Sequence, residues 1–247
     1  PNPEPAVGWV TQTSGTNVNL KSVWFKRGTE GWVVGDGGTI LRTTDAGQIW
    51  TSFSSPVSDD FKEIKFFSDT LGFIVGAGSI LRTSDKGATW TQVSQTGNLT
   101  LYAITSSPNA DTLVAVGSEG LGKFSTDSGL NWSNIPSATS GTLRDVDYFQ
   151  NAFFAVGDLG SIYATQILNG WYQISGSLLG QDIRSSNVVD GKMYLYGTTL
   201  STLDQNMNIN QSIDFPPGVL YCVSDNPKAD MIMVGGENGI IGFLERD

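Results

Sequence analysis

Residues 20–53 read LKSVWFKRGTEGWVVGDGGTILRTTDAGQIWTSF, and this stretch decides the fold. It holds four short runs of aliphatic and aromatic residues separated by Gly, Asp and Ser, which is the pattern of an antiparallel meander of four strands. Residues 61–93 and 101–135 repeat the same order of runs and turns. A repeat of about forty residues in a strand-rich chain predicts a radial array of four-stranded blades.

Fainter copies of the repeat continue to the end of the chain, at residues 143–174, 183–213 and 219–247. Each copy has a glycine after its second apolar run: Gly35, Gly76, Gly117, Gly157, Gly197 and Gly235. The last copy has only three runs, and residues 8–13, GWVTQT, match the fourth run of the second copy, TWTQVS at 89–94. We therefore predict that residues 1–247 form one all-β domain, a six-bladed β-propeller whose ring is closed by the N-terminal strand joining the C-terminal blade. A seven-bladed ring is the alternative.

Composition excludes several classes of protein. The chain has 14 basic and 24 acidic side chains, a net charge of -10 and no histidine, so a general affinity for nucleic acid is not expected. No apolar run approaches the roughly 18 residues of a membrane span. Cys222 is the only cysteine, which rules out an internal disulfide and a cysteine-based metal site. No signal peptide is visible, and the start from Pro1 to Pro5 is typical of a trimmed linker.

Three copies share a sharper motif between their third and fourth runs, S/T-x-D-x-G-x-x-W. Its defining residues are Asp45, Gly47 and Trp50, then Asp85, Gly87 and Trp90, then Asp127, Gly129 and Trp132. The carboxylate can accept hydrogen bonds from turn amides, the glycine can adopt positive φ, and the indole can pack between blades. Calcium binding is the alternative for these aspartates, but one carboxylate per loop is too few for a tight site. We therefore expect no metal and no cofactor.

This motif resembles the BNR or Asp-box repeat. Its combination with GWVVGDGGTILRTTD at 31–45 is similar to the photosystem II stability/assembly factor-like family of propellers. The resemblance is close over residues 20–135 and weaker to residue 247. It implies a non-catalytic, extracytoplasmic propeller that assists the assembly of a membrane complex. The plant and cyanobacterial members have seven blades, and the six copies counted in this chain depart from that number.

Aligning the first strands of the six copies places a large polar residue at the second position of each. This ring consists of Lys21, Lys62, Tyr102, Arg144, Arg184 and Tyr221, and the first position is apolar in every copy. The first strand of a propeller blade lines the central channel. We therefore predict that these side chains converge at the channel mouth and bind an acidic peptide segment. The alternative is that they reach solvent or pair with Glu63 and Asp145.

An acidic rim is predicted around this ring. Asp36, Glu119, Asp158 and Glu237 lie in the turns after the second strands, on the face that carries the channel mouth. Such a rim would admit basic groups or discourage self-association. The alternative is a purely structural role, because aspartate is common in Gly-rich turns.

The sequence favours a binding scaffold over an enzyme. The absence of histidine excludes Ser-His-Asp and Cys-His catalysis, and no P-loop is present. A sialidase-like glycoside hydrolase is less favoured, because the usual N-terminal F/Y-R-I-P segment is missing. We predict a monomeric, non-catalytic scaffold that recognises a protein or peptide outside the cytoplasm, whether periplasmic, lumenal or secreted. A carbohydrate-binding or adhesion module is the alternative.

Overall fold

The computed structural model describes residues 11–26, 28–166, 168–174, 181–189, 191–198, 200–213, 220–226, 231–236 and 241–245. Beyond residue 210 the description is of the backbone, apart from Leu220. Within these ranges, no helix has the length and the apolar character needed to cross a bilayer.

The first sheet shows the plan of a blade. Four strands pair antiparallel in chain order: β1 (Leu20–Phe25), β2 (Gly31–Gly35), β3 (Ile40–Thr43) and β4 (Thr51–Phe53). A short 3-10 turn, Asp36–Gly38, joins β2 to β3. The S/T-x-D-x-G-x-x-W turn joins β3 to β4. This sheet is the meander predicted for residues 20–53.

The second and third copies of the repeat form one six-stranded sheet. Its strands are β5 (Phe61–Phe66), β6 (Gly72–Thr83), β7 (Thr91–Ser106), β8 (Leu113–Gly117), β9 (Gly122–Ser125) and β10 (Ser133–Ile135). Strand β6 serves as two strands of one blade, because β5 pairs with residues 72–76 and β7 pairs with residues 79–82. Strand β7 then continues into the next blade, where residues 101–106 pair with β8.

The fourth and fifth copies form separate four-stranded sheets. The fourth contains β11 (Leu143–Phe149), β12 (Ala152–Gly157), β13 (Ile162–Thr165) and β14 (Tyr172–Gln173). The fifth contains β15 (Ile183–Val189), β16 (Lys192–Gly197), β17 (Leu200–Leu203) and β18 (Ile209–Ile213). A three-stranded sheet follows, with β19 (Leu220–Asn226), β20 (Met231–Gly236) and β21 (Ile241–Glu245). The predicted all-β propeller of four-stranded antiparallel blades is confirmed.

The blade count of six and the closure of the ring remain predictions. Of the segment predicted to close the ring, residues 8–10 lie outside the described residues, and residues 11–13 are not assigned to a strand.

The hydrophobic core lies between neighbouring blades. One cluster joins Trp32 and Val34 of the first blade to Phe61, Ile64 and Phe66 of the second, and none of the five is more than 5% exposed. Equivalent clusters lie between the second and third, third and fourth, and fourth and fifth blades. Packing of the inner faces of adjacent sheets therefore supplies the hydrophobic stabilisation of the fold.

Strand β1 departs from this packing. Leu20, Val23 and Phe25 are 39%, 59% and 44% exposed, whereas Phe61 and Ile64 at the equivalent positions of β5 are 0% and 1% exposed. In β5 these positions rest on the preceding blade. The exposed face of β1 is therefore the face that a preceding blade covers elsewhere in the molecule.

Every innermost strand contains a β-bulge at its second residue. In β1, for example, Leu20 pairs with Gly35 and Ser22 pairs with Val34, so that Lys21 has no partner in the ladder. The same register shift occurs in the other innermost strands, at Lys62, Tyr102, Arg144, Arg184 and Tyr221. A bulge bends the strand and redirects the extra side chain. The ring positions found by alignment are therefore the bulged residues.

The glycine that marks each copy faces the first residue of the innermost strand. A Cβ at Gly35 would overlap the carbonyl oxygen of Asn19, and a Cβ at Gly76 would overlap that of Asp60. The backbone at Gly35 is extended, so the requirement is close approach of two strands rather than positive φ. In the last sheet Leu220 pairs with Gly236. The prediction that Gly235 marks the sixth copy was therefore wrong by one residue.

Candidate functional site

The bulged residues of five innermost strands share one cavity, which we take as the mouth of the predicted channel. Five of the six predicted ring residues line a single cavity of about 290 Å³: Lys21, Lys62, Tyr102, Arg144 and Arg184. They come from five innermost strands, β1, β5, β7, β11 and β15. The side chain of the sixth, Tyr221, lies outside the described residues. We call this group of five the mouth ring.

Turns that follow the second strands contact residues that immediately precede the innermost strands, close to the mouth ring. The Asn19 amide donates to an Asp36 carboxylate oxygen at 2.8 Å. The backbone N–H of Gly37, in the turn after β2, donates to Asp60 at 2.9 Å, just before β5. In the same way Leu159 N–H donates to Asp182 at 3.1 Å. These bonds fix the positions of the innermost strands and of carboxylates beside the ring.

Three of the four cations in the mouth ring are paired with these carboxylates. Arg144 Nε lies 2.5 Å from Asp158 Oδ1, Arg184 Nη2 lies 3.5 Å from Asp182 Oδ2, and Lys21 Nζ lies 3.9 Å from Asp36 Oδ1. The paired groups keep about a quarter to a third of their side-chain surface accessible, so solvent screens each pair. The positive charge of the mouth is therefore largely neutralised on these sides.

The alternative pairing with Glu63 and Asp145 was wrong. Glu63 instead accepts the backbone N–H of Ile104 at 2.7 Å and lies 3.7 Å from Lys65 Nζ. Asp145 accepts from the Ser185 hydroxyl and the Ser186 N–H, both at 2.8 Å. Both acids point along the channel wall to the following blade, so they are unavailable to the mouth ring.

Lys62 and Tyr102 differ from the other members of the ring. Among the described residues, no carboxylate lies within 4.0 Å of the Lys62 ammonium, and no hydrogen bond is made by the Tyr102 hydroxyl. Both side chains are partly buried and line the shared cavity from the innermost strands of neighbouring blades, β5 and β7. The Lys62 ammonium and the Tyr102 hydroxyl are thus both free to donate hydrogen bonds on one side of the mouth.

The predicted acidic rim is only partly assembled. Asp36 and Asp158 lie beside the mouth ring, as the pairs above show. Glu119 is exposed at a positive φ of 55°, in the short turn Ser118–Gly120. Glu237 lies outside the described residues. Asp60 and Asp182 also lie beside the ring although the sequence pattern did not predict them, and each stands two residues before a ring residue.

Below the mouth, the channel wall is acidic. Glu63, Asp145 and Asp147 face a single cation, Lys65, whose ammonium also donates to the Ile104 carbonyl at 3.2 Å. Burial raises the pKa of Glu63, and burial together with Asp145 raises the pKa of Asp147 to about 7. Burial would lower the pKa of Lys65, but the surrounding carboxylates raise it overall. The channel below the mouth therefore disfavours a further anion.

Side chains at the third position of the innermost strands link neighbouring blades. The Ser22 hydroxyl accepts the N–H of Ile64 at 3.2 Å, and Glu63 and Asp145 accept the equivalent N–H groups of the blades that follow them. Ala103 cannot do so, and Val146 N–H instead donates to the neighbouring Asp145 at 2.8 Å. These bonds satisfy donors on the open inner edge of each sheet.

The outer turns of the first three blades are nearly identical. In the second blade the Thr83 hydroxyl donates to Asp85 at 2.7 Å and accepts the Gly87 N–H at 2.9 Å, while Asp85 accepts the Thr89 N–H at 2.9 Å. Thr43 with Asp45 and Ser125 with Asp127 repeat these contacts. Hydrogen bonds to the carboxylates, from Thr89 and from Asn131, lower the pKa of Asp85 and of Asp127 to about 2.

The tryptophans of these turns are buried to different extents. Trp90 is 6% exposed and its ring lies 5.9 Å from that of Phe66, in the core between the first and second blades. Trp132 packs edge-on against Phe73 of the preceding blade but is only half-buried. Trp50 is also half-buried and packs against Phe25 of its own blade. The expectation of burial between blades therefore holds best for Trp90.

In the part of the chain that the structure describes, no three acidic or cysteine side chains are arranged to hold a metal ion. The aspartates of the outer turns instead accept hydrogen bonds from their own loops.

Comparisons with known proteins agree with this architecture. The family described as "Photosynthesis system II assembly factor YCF48" matches residues 3–173. No curated protein sequence matches the chain. The solved structure "YCF48 bound to D1 peptide" is 22% identical, with a TM-score of 0.73 over 94% of this chain and 78% of that chain.

Two further solved structures share the fold. YCF48 from Cyanidioschyzon merolae is 16% identical, with a TM-score of 0.67 over 91% of this chain and 81% of that chain. Virginiamycin B lyase from Staphylococcus aureus is 13% identical, with a TM-score of 0.72 over 95% of this chain and 86% of that chain. Because an assembly factor and an enzyme both match in shape, the fold alone does not assign a function.

Proposed function

The chain belongs to the photosystem II assembly factor YCF48 family, and we propose that it is a non-catalytic scaffold that binds a peptide segment of a partner protein at the mouth ring. The observation that carries the proposal is the convergence of five bulged residues, from five innermost strands, on one cavity. Bulges are frequent where a protein must aim a side chain at a ligand.

The chemistry of the mouth ring suits an acidic, extended segment. Arginine, lysine and tyrosine side chains all donate hydrogen bonds, and a carboxylate or a peptide carbonyl can accept them. The carboxylates Asp36, Asp158 and Asp182 between the cations can accept from peptide N–H groups of the same segment. A related propeller has been solved with a D1 peptide bound, which supports a peptide as the class of ligand.

The geometry favours binding over catalysis. Three of the four cations of the mouth are paired with carboxylates, and the raised pKa of Asp147 belongs to the wall below them rather than to the cavity. No turnover of a fluorogenic sialoside is therefore expected. Hydrolysis that survives purification and depends on Arg144 and Arg184 would favour a glycosidase instead.

We further propose that residues 1–247 form one domain of six blades, closed by residues 8–13, and that it works outside the cytoplasm. The exposed apolar face of β1 is the face that a preceding blade covers elsewhere, and among the described residues the last sheet has only three strands and thus lacks the fourth that residues 8–13 would supply. Gln12 accepts a hydrogen bond from Trp50 at 3.3 Å and packs over Gly47, much as Trp32 of the preceding blade packs over Gly87. Closure predicts slow hydrogen exchange at residues 8–13, whereas free exchange there would contradict it.

The binding proposal is tested with an array of labelled octapeptides that carry zero to four acidic residues, with the D1 peptide of the relative included. We expect saturable binding that strengthens with acidic content. The double variant Arg144→Glu/Arg184→Glu should weaken the tightest peptide at least tenfold while the melting temperature stays within a few degrees. The matched control is Lys192→Glu, an exposed cation in the hairpin at the other end of a blade. Equal binding by the wild type and the double variant would overturn the proposal.

A further inference from the structure

We infer that Lys62 and Tyr102 form the subsite that receives a carboxylate of the bound segment, an inference that rests on the proposed function. The other cations of the mouth ring would then serve mainly to position the peptide backbone. The inference concerns one side of the mouth, where β5 and β7 bring these two side chains to the shared cavity.

A ligand would compete with a resident carboxylate for each paired arginine. A ligand carboxylate at Arg144 would share the guanidinium with Asp158, which accepts from Nε, and at Arg184 it would share it with Asp182, which accepts from Nη2. The resident carboxylate would remain beside the ligand and repel it. This repulsion offsets part of the attraction between the ligand and the shared arginine. The paired arginines are therefore poor acceptors of a new anion.

Lys62 and Tyr102, in contrast, have hydrogen-bond donors that a ligand can use. Among the described residues, the Lys62 ammonium has no carboxylate within 4.0 Å and the Tyr102 hydroxyl makes no hydrogen bond. A carboxylate has two oxygens, one of which can accept from the ammonium and the other from the hydroxyl. Neither bond requires an existing contact to be broken. Charge-assisted bonds of this kind are the stronger class of hydrogen bond.

The acidic layer below the mouth limits how deep a bound carboxylate can lie. Among the described residues, the layer below the mouth carries Glu63, Asp145 and Asp147 against one cation, Lys65, and all three carboxylates are held by bonds to the next blade. An anion that moved deeper would meet this negative layer. The bound carboxylate is thus held at the level of the bulges, and the segment lies across the mouth rather than through the channel.

The experiment uses the tightest octapeptide from the array in three forms: with a free C-terminus, with a C-terminal amide, and with its acidic side chains replaced by their amides. The affinity ratio between acid and amide forms is measured by fluorescence anisotropy for each variant. If the C-terminal amide weakens binding, the bound carboxylate is that of the chain terminus. If the side-chain amides weaken binding, it is that of an acidic side chain.

For the wild type we expect the acid form to bind at least ten times more tightly than one of the two amide forms. Lys62→Met should reduce this ratio to about one, and Tyr102→Phe should reduce it about threefold. Arg184→Gln should weaken the acid and amide forms alike and leave the ratio unchanged. Lys192→Met, at the other end of a blade, should change neither affinity nor ratio.

The experiment distinguishes failure of the proposed peptide binding from failure of the proposed carboxylate subsite. If no peptide of the array binds, the proposed function itself is wrong, and the inference falls with it. If peptides bind the wild type but acid and amide forms bind equally, or if Lys62→Met keeps the full ratio, peptide binding stands and the subsite is wrong. A ratio that collapses in Arg184→Gln would move the subsite to the opposite side of the mouth.

Discussion

The outer turns of the first three blades and the mouth ring are both built from repeated positions, yet they differ in what the repeats keep. The outer turns of the first three blades preserve the same hydroxyl, carboxylate and glycine contacts almost unchanged. The mouth ring preserves the backbone bulge and varies the side chain, from lysine to tyrosine to arginine. Uniform side chains indicate a structural task, whereas variable side chains on a uniform backbone are what the proposed recognition of an asymmetric ligand requires.

The comparison predicts that changes at the outer turns affect stability most strongly. Trp90→Ala should lower the free energy of unfolding by about 3–5 kcal/mol, because it empties a packed site between two blades. Trp50→Ala is the matched control. Its ring is half-buried, so we expect about 1–2 kcal/mol. Urea denaturation of the two variants measures the difference, and equal losses would contradict the structural distinction between them.

A smaller loss is expected when one hydroxyl of an outer turn is removed. Thr83→Val keeps the shape of the side chain but leaves the Gly87 N–H without its acceptor. The free energy of unfolding should fall by about 1–3 kcal/mol. Thr91→Val, at an exposed hydroxyl on the same blade, should change it by less than about 0.5 kcal/mol. Thermal unfolding of both variants tests this. A stable Thr83→Val protein would mean that the repeated contact is not structural.

The channel wall between the two regions predicts a dependence of stability on pH. Asp147 has a pKa of about 7 in the folded protein against an ordinary value of 3.8, so the folded state binds an extra proton between these values. The free energy of unfolding should therefore rise as the pH falls from 7 towards 4, by at most about 3 kcal/mol.

Asp147→Asn should flatten this dependence, since the amide cannot titrate and its oxygen can still accept from Ser186. The control is Asp204→Asn. The pKa of Asp204 is lowered by the Asn208 N–H, so its effect falls below pH 4, outside the window. Denaturation at pH 4.5, 6 and 7.5 would show the slope, and an unchanged slope in the Asp147 variant would assign it to another group.

The smallest effects on stability are expected at the mouth ring. Lys62→Met and Tyr102→Phe should each change the free energy of unfolding by less than about 0.5 kcal/mol, because neither side chain is committed to a partner among the described residues. A large loss of stability in either variant would erase the contrast between the two regions. Differential scanning calorimetry alongside the binding measurements separates the outcomes.

Much of this architecture could be predicted from the repeat itself. The forty-residue period and the four apolar runs located the strands closely, because alternating burial and turn glycines are local signals. Aligning the first runs also placed Lys62 and Arg144 at equivalent positions, and the structure brings both to one cavity.

The bulge could have been read from the sequence but was missed. In β5 the buried residues are Phe61, Ile64 and Phe66, so the first interval is three residues where a regular strand requires two. That broken alternation is the signal of an extra residue. The pairing of Arg144 with Asp158 could not be found this way, because it depends on how a turn folds back over the strand. The exposure of β1 depends on which blade neighbours it, which no local pattern encodes.

A bulged residue has no partner across the ladder, and this has a consequence for how such proteins diversify. Exchanging one of these side chains removes no cross-strand contact and leaves the register of the blade intact. The central opening can therefore acquire a new ligand by successive single substitutions, each confined to one repeat, while the packing between repeats stays as it was. Duplicated copies of such a chain could therefore evolve to bind different ligands through intermediate sequences that all fold.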